Sequence, residues 1–287
     1  MNQSIQISSV DPACRKGWLR VLPALLILLF PALASAQEME VGLAGGGTYY
    51  IGDLNPSIPF REIKPSYGAL VRYNIDSRWA VRAALMMGSV AADAAESTPF
   101  IKTLGLNFKS NITDVSAVAE FNFFPYYPGS DFNKLTPYIY AGISVFFFKP
   151  FDNEGRDLRS LGTEGQNTGD GKKYSTVSFS VPFGLGLKWA LTEKLGLQVY
   201  WEMHKTFTDY LDDVSTTFYL YDGKFIDERK TTPANAEQAV ASDPLASHQP
   251  GQQRGDPATN DWFSFFGVSF TYSFKLPGSN RCKELKY

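Results

Sequence analysis

The sequence predicts an all-β protein, an eight-stranded antiparallel transmembrane β-barrel with long external loops and short periplasmic turns. Three observations predict it. Apolar and polar residues alternate with period two in eight separate runs, and no long stretch past residue 37 shows a helical period. The runs reach about 9 to 13 residues, the length a tilted strand needs to cross a bilayer, whereas strands of soluble sheets average about 5 to 6. The links between the runs are unequal in a regular way, which is the rhythm of a membrane barrel whose turns lie on one side and whose loops lie on the other.

Composition narrows the function classes. The 287 residues carry 27 Lys and Arg against 29 Asp and Glu, so the chain lacks the broad basic field of a nucleic-acid binder. A hydrophobic fraction of 44% with 20% charged residues is too apolar for a disordered chain. A mean hydropathy of −0.17 excludes a bundle of transmembrane helices. The aromatic fraction of 15%, with 24 Gly, fits a β-sandwich or a barrel girdled by aromatics. In a soluble sandwich the apolar faces would pack on one another, and nothing would impose the regular inequality of the links.

The N-terminus gives the compartment. Arg15, Lys16 and Arg20 precede the apolar run Val21 to Ala34, which closes on Ala34-Ser35-Ala36. This is the pattern of a secretory signal peptide cleaved after Ala36, since the run is too short for a spanning helix of about 20 residues. The expected organisation is a signal peptide over 1–36, the barrel over 37–274 and a periplasmic tail over 275–287. Cys14 lies upstream of the apolar run, so a lipid-modified N-terminal cysteine is not indicated and Cys282 is the single cysteine of the mature chain. In an oxidising compartment it suits either an intermolecular disulfide or an unpaired place in the tail, and both readings stay open.

The strands follow in chain order. Three lie near 39–51, 67–75 and 79–90. In 114–124, Val115, Ala117, Ala119, Phe121 and Phe123 oppose Asp114, Ser116, Glu120 and Asn122. In 136–147, Ile139, Ala141, Ile143, Val145 and Phe147 oppose Tyr138, Tyr140, Gly142 and Ser144. In 177–189 a greasy face from Val177 to Trp189 opposes small and polar residues ending at Lys188, and in 194–204 Leu195, Leu197, Val199, Trp201 and Met203 oppose Gly196, Gln198, Glu202 and His204. The last strand, 262–274, alternates from Trp262 to Phe274, with Ser264 out of phase. The expected links are long at 52–66, 91–113 and 149–175, longest at 207–260, short at 74–78 and 190–193, and intermediate at 125–135.

Side chains alone can fill an eight-stranded lumen, so the inward charges Glu40, Arg72, Arg82, Glu120, Lys188, Glu202 and His204 predict a salt-bridged plug. A sharper alternative makes Glu202 and His204 half of a hydrolase site at the rim, although no nucleophile is marked. Asp209, Asp212 and Asp213, where the seventh strand opens into the longest loop, suit either an ion such as calcium or the capping of turns, without the spacing of an EF-hand. Gly45-Gly46-Gly47 lacks the helix and the Lys-Ser/Thr pair of a phosphate loop, so it reads as room for bulky neighbours. No cofactor is expected.

Several strings carry a family likeness: Tyr49-Tyr50-Ile51-Gly52-Asp53-Leu54-Asn55-Pro56, Phe121-Asn122-Phe123-Phe124-Pro125-Tyr126, Leu161-Gly162-Thr163-Glu164-Gly165-Gln166, the run Lys205 to Thr217 with Asp209-Tyr210-Leu211-Asp212-Asp213, and Gln253-Arg254-Gly255-Asp256 followed by Asp261-Trp262. With them the chain resembles the PorG-like outer-membrane barrels associated with the type IX secretion system, from about residue 40 to 274. The resemblance implies a non-enzymatic envelope component that ties a periplasmic ring of PorK- and PorN-like proteins to the outer membrane, with a PorM-like motor protein as a further neighbour. It carries no catalytic residues. On either ground the periplasmic face should meet the partners, and the basic tail with Lys275, Arg281, Cys282 and Lys283 is the expected contact. The other expectations are a stand-alone barrel, acting as a porin-like channel or surface adhesin, and a barrel enzyme acting on lipids or peptides.

Overall fold

Alternation with period two means that one register decision turns a whole face inward, and all eight strands make that decision the same way. The computed structural model describes residues 38–128, 132–166, 172–220 and 236–275. The strands are β1 (Glu38–Ile51), β2 (Lys64–Asn74), β3 (Trp79–Asp93), β4 (Asn107–Asn122), β5 (Leu135–Phe151), β6 (Val177–Ala190), β7 (Leu195–Thr206) and β8 (Trp262–Lys275). Each pairs antiparallel with the next, and β1 pairs with β8, so the sheet closes on itself and has no free edge.

The outward columns are apolar and uncovered. Leu43 and Ile143 are each 71% exposed, and Val115, Phe179, Leu185, Val199 and Phe270 are exposed beside them. A wall of this kind is a stable outer face only against hydrocarbon. Trp79, Phe121, Phe123 and Trp189 stand on it near the end that carries the turns, and Phe147, Phe179, Trp201 and Trp262 near the other end, like two aromatic girdles. Close contact between strands needs residues without a Cβ: one built on Gly46 would lie 1.9 Å from the Phe266 carbonyl oxygen of β8. Gly46 therefore serves backbone approach, and Gly47 leaves room for the Ile63 and Phe266 side chains.

Three strands are longer than the sequence pattern marks. β4 begins at Asn107 and not at 114, β3 runs on to Asp93 and β5 to Phe151. Over 107–113 the inward column, Phe108, Ser110 and Ile112, is buried, while the outward column is Lys109, Asn111 and Thr113. The wall here has risen past the apolar band, so the greasy alternation ends although the ladder continues. The links 94–106 and 152–176 are correspondingly shorter than expected, while the longest keeps its length. They hold short helical pieces at α1 (Pro99–Lys102), α2 (Leu158–Leu161) and α3 (Ala236–Ser242).

The loops fold back over the barrel mouth and share a core with its upper lumen: Tyr50, Leu54, Phe108, Phe146, Leu158, Leu211, Phe218, Phe263 and Phe265 form one buried cluster. Phe263 and Phe265 turn inward while Ser264 takes the outward phase, which accounts for its lapse in the pattern. At the opposite end the 123–134 link tucks Tyr126 under the lumen, where its amide donates to the Ser77 carbonyl at 3.0 Å. Ile143 lies midway along β5, so Ile143→Arg should lower the unfolding free energy of the vesicle-embedded barrel by about 2–4 kcal/mol, measured by denaturant titration, whereas Lys109→Arg should leave it within about 0.5 kcal/mol.

Candidate functional site

The inward columns place three cations and three glutamates within one layer of the lumen. Arg72 reaches Glu40 through Nη1 at 2.7 Å and Glu120 through Nε at 2.7 Å. Arg82 joins Glu120 at 2.7 Å and Glu202 at 2.8 Å, and Lys188 Nζ meets Glu120 at 2.7 Å. His204 Nε2 lies 3.0 Å from Glu202 Oε1. All seven charged lumen residues read from the sequence thus stand in one chain of contacts. Sequence reasoning missed its neutral members: Gln198 accepts from Arg72 at 2.6 Å, Asn122 from Lys188 at 2.9 Å, and Asn74 donates to Glu40 at 2.8 Å. Their inward phase was the available signal.

Glu120 is the hub, because it faces Arg72, Arg82 and Lys188 together. Ion pairs out of water need such complete pairing, since desolvation costs each charge several kcal/mol. The tyrosines do the rest: Arg82 lies 4.7 Å from the Tyr140 ring and Lys188 4.5 Å from the Tyr138 ring. The cavity left between Ala44, Tyr138, Tyr200 and Glu202 measures about 10 Å³, room for about one water. The lumen is plugged.

Above this layer His204 meets two hydroxyls that the sequence did not mark. Ser180 Oγ is 3.0 Å from His204 Nδ1, and Ser144 Oγ is 2.6 Å from Ser180 Oγ. Ser180, His204 and Glu202 have the composition of a nucleophile, base and orienting acid. All three are buried, and the Phe263 ring stacks on the imidazole at 4.3 Å, so the described side chains crowd the site where a reacting carbonyl would have to lie. The arrangement locks the ring.

The cap joins strings that are far apart in the chain. Glu164 accepts from the amides of Ser215 at 2.9 Å and Thr216 at 3.0 Å and pairs with Arg254 at 3.1 Å. Asp213 accepts from Thr163 and from Tyr174 at 2.7 Å, and Asp53 accepts from the Asp256 amide at 3.1 Å. The Tyr50 hydroxyl lies 2.5 Å from Asp212 Oδ2 and 2.9 Å from Asp261 Oδ1. A hydroxyl has one proton to give, so one of these contacts requires a carboxyl O–H, and the pair holds at least one proton. Burial pushes Asp212 and Asp261 well above the usual carboxylate range, and raises Asp53 to about 6 and Asp209 and Asp213 to about 7.

Asp212 and Asp213 therefore diverge to separate contacts. Among the described residues no group of three His, Cys, Asp or Glu side chains is placed to hold a metal ion. A cavity of about 90 Å³ opens between the loops beside Asn107, Asp152, Arg156, Asp212 and Arg254, whose guanidinium groups are tied to Asp152 at 2.6 Å and Glu164 at 3.1 Å. The signal segment, Arg281, Cys282 and Lys283 lie outside the described residues, and Lys275 ends β8 in register with Glu38.

A family model, the domain of unknown function DUF6089, matches residues 19–223. No curated protein matches the chain. Among solved structures the chain is similar to Ail, the attachment invasion locus protein of Yersinia pestis, in complex with the heparin analogue sucrose octasulfate, at 10% identity and a TM-score of 0.41, covering 83% of this chain and 99% of that one. It is also similar to Neisserial surface protein A, at 12% identity and 0.40 over 84% and 98% of the two chains. OprG of Pseudomonas aeruginosa matches at 10% identity and 0.34 over 85% and 98%.

Two outcomes follow from this geometry. Glu120→Ala leaves three buried cations short of a partner and should cost about 3–5 kcal/mol, read as a lower denaturant midpoint of the refolded barrel. In the cap the carboxyl pKa values are raised on folding, so the protons are held more tightly there than in a free chain. Cap stability is thus full in acid and declines as the pH rises from about 4 through about 7. Amides of 211–216 should exchange several-fold faster at pH 8 than at pH 5 after correction for the intrinsic rate, and Asp261→Asn should flatten the difference. Equal protection at the two pH values would refute the proton count.

Proposed function

The chain belongs to the DUF6089 family, a domain of unknown function, and from that premise we propose that it is a non-enzymatic outer-membrane barrel that anchors the periplasmic ring of a type IX protein secretion apparatus. The observation that carries the non-enzymatic half is the plugged lumen: with Arg72 and Lys188 paired to Glu120 and His204 to Glu202, all of them buried, the described side chains leave neither a path for solute nor a space for substrate in this layer. The barrel's work then falls to its faces. The apolar wall supports residence in the bilayer, and the even strand number puts both chain ends on the side of the short turns, which is the periplasmic side of such barrels.

The secretion role is supported by the strings shared with PorG-like barrels. On this reading PorK- and PorN-like ring proteins dock on the turns and the tail beyond β8, through Lys275, Arg281 and Lys283, with Cys282 available for an intermolecular disulfide and a PorM-like motor further away. A second reading, a surface adhesin, draws on the cap: Phe100 and Leu245 are exposed on an ordered lid. Porin-like conduction is disfavoured by the plug.

Affinity capture of the tagged protein from detergent-solubilised outer membranes, under non-reducing conditions and with mass spectrometry of the eluate, separates these readings. The scaffold role predicts that the ring proteins co-purify and are lost when 276–287 are deleted. Recovery of the barrel alone would move the assignment to the adhesin. A Cys282→Ser variant with an unchanged pattern of cross-linked bands would remove the disulfide.

A further inference from the structure

We propose that the loop end of β4–β7 is a docking surface for the phosphate groups of the surrounding lipid, built from an arc of lysines. The outward columns give the geometry. On β4 the outward residues run Val115, Thr113, Asn111, Lys109, on β5 Ile143, Val145, Phe147, Lys149, and on β7 Val199, Trp201, Met203, Lys205. Each column leaves the apolar band and reaches a lysine. Between β5 and β7 the exposed Lys172 and Lys173 lie in the loop that leads into β6, at the same end of the barrel.

The outward strand columns are one-sided in charge. Among the described residues the outward columns of β4–β7 carry no carboxylate, and those of β8, β1 and β2 carry no lysine. Lys149 is paired with Asp157 of the following loop at 2.9 Å. Among the described residues no carboxylate pairs with Lys109, Lys172, Lys173 or Lys205. Two of the amines also sit beside aromatic rings of the rim, Lys205 Nζ at 5.8 Å from Trp262 and Lys149 Nζ at 4.9 Å from Phe151. A long stem lying on the apolar wall with its ammonium raised to the headgroup layer is the posture of an interfacial lysine.

What covers this surface follows from the bilayer reading of the wall, on which the proposal rests. A side chain that points outward just past the apolar band faces lipid headgroups, and the anionic group they offer is phosphate. Each lysine near an anionic surface contributes roughly a fivefold gain in affinity. A cluster confined to one half of the rim would hold such lipids on that side and leave β8–β2 to bind headgroups without preference.

The test uses the refolded full-length mature chain in zwitterionic micelles. It is offered a diphosphorylated glycolipid or the same glycolipid with both phosphates removed, and bound lipid is counted by native mass spectrometry. The diphosphorylated form should be retained preferentially, less so at high salt. The K109Q/K149Q/K172Q/K173Q/K205Q variant should lose at least about tenfold in affinity for it, and K134Q/K194Q at the turn end should lose none. Equal retention of the two glycolipids, or an unchanged quintuple variant, overturns the proposal. Heat-modifiable migration after refolding into vesicles is scored in parallel: a chain that never inserts strikes the bilayer reading itself, and an inserted barrel without phosphate preference strikes this proposal alone.

Discussion

Eight strands close around a space that side chains can fill, and that constraint governs the rest of the molecule. Little water can accompany the inward charges, so the cations and glutamates find their partners among one another. Glu120 meets the requirement for three cations at once and ties β4 to β2, β3 and β6 across the lumen. Arg82 and Glu202 extend the chain to β7, and His204 carries it up to the serines and phenylalanines below the cap. The polar network fixes which strands face one another across the barrel, a role the non-directional apolar wall cannot play.

The two ends are closed by different means. Tyr126 seals the turn end from a single link, while the loop end is sealed by contacts between three loops, with Arg254 as a cation among many carboxylates. That imbalance is offset by protonation: Tyr50, Asp212 and Asp261 hold together because one carboxyl keeps its hydrogen. The cap is therefore acid-tight by construction, whereas the cations of the lumen network are matched by an equal number of glutamates.

Much of the barrel was legible in the chain because a strand's two faces are printed as alternate letters. Val115 and Glu120, or Val199 and Glu202, declare their sides directly. The upper parts of β4 and β5 were not legible, since Lys109, Asn111 and Lys149 replace the apolar outward column once the wall clears the membrane band. Ser264 misled in the other direction, because a small polar residue in a greasy strand reads as inward, whereas it shares the outward phase of Trp262 and Phe266. The cap was legible only as separate strings. Glu164 and Arg254 are 90 residues apart and Tyr50 and Asp261 are 211 apart, and no local spacing announces such partners. Four of the five strings that carry the family resemblance, around Tyr50, Glu164, Asp212 and Arg254 with Asp261, nevertheless converge in this one lid, while Phe121–Tyr126 lies at the opposite end.

A sealed interior makes the protein's surfaces its working parts, and the sealing is open to direct measurement. Single-channel recording of the refolded barrel in a planar bilayer at high salt reads the lumen without reference to any partner. A plugged barrel gives a flat baseline over long observation at either polarity. Stable open steps whose size grows with salt concentration would mean that water and ions pass Glu120 and its cations, and would contradict the account.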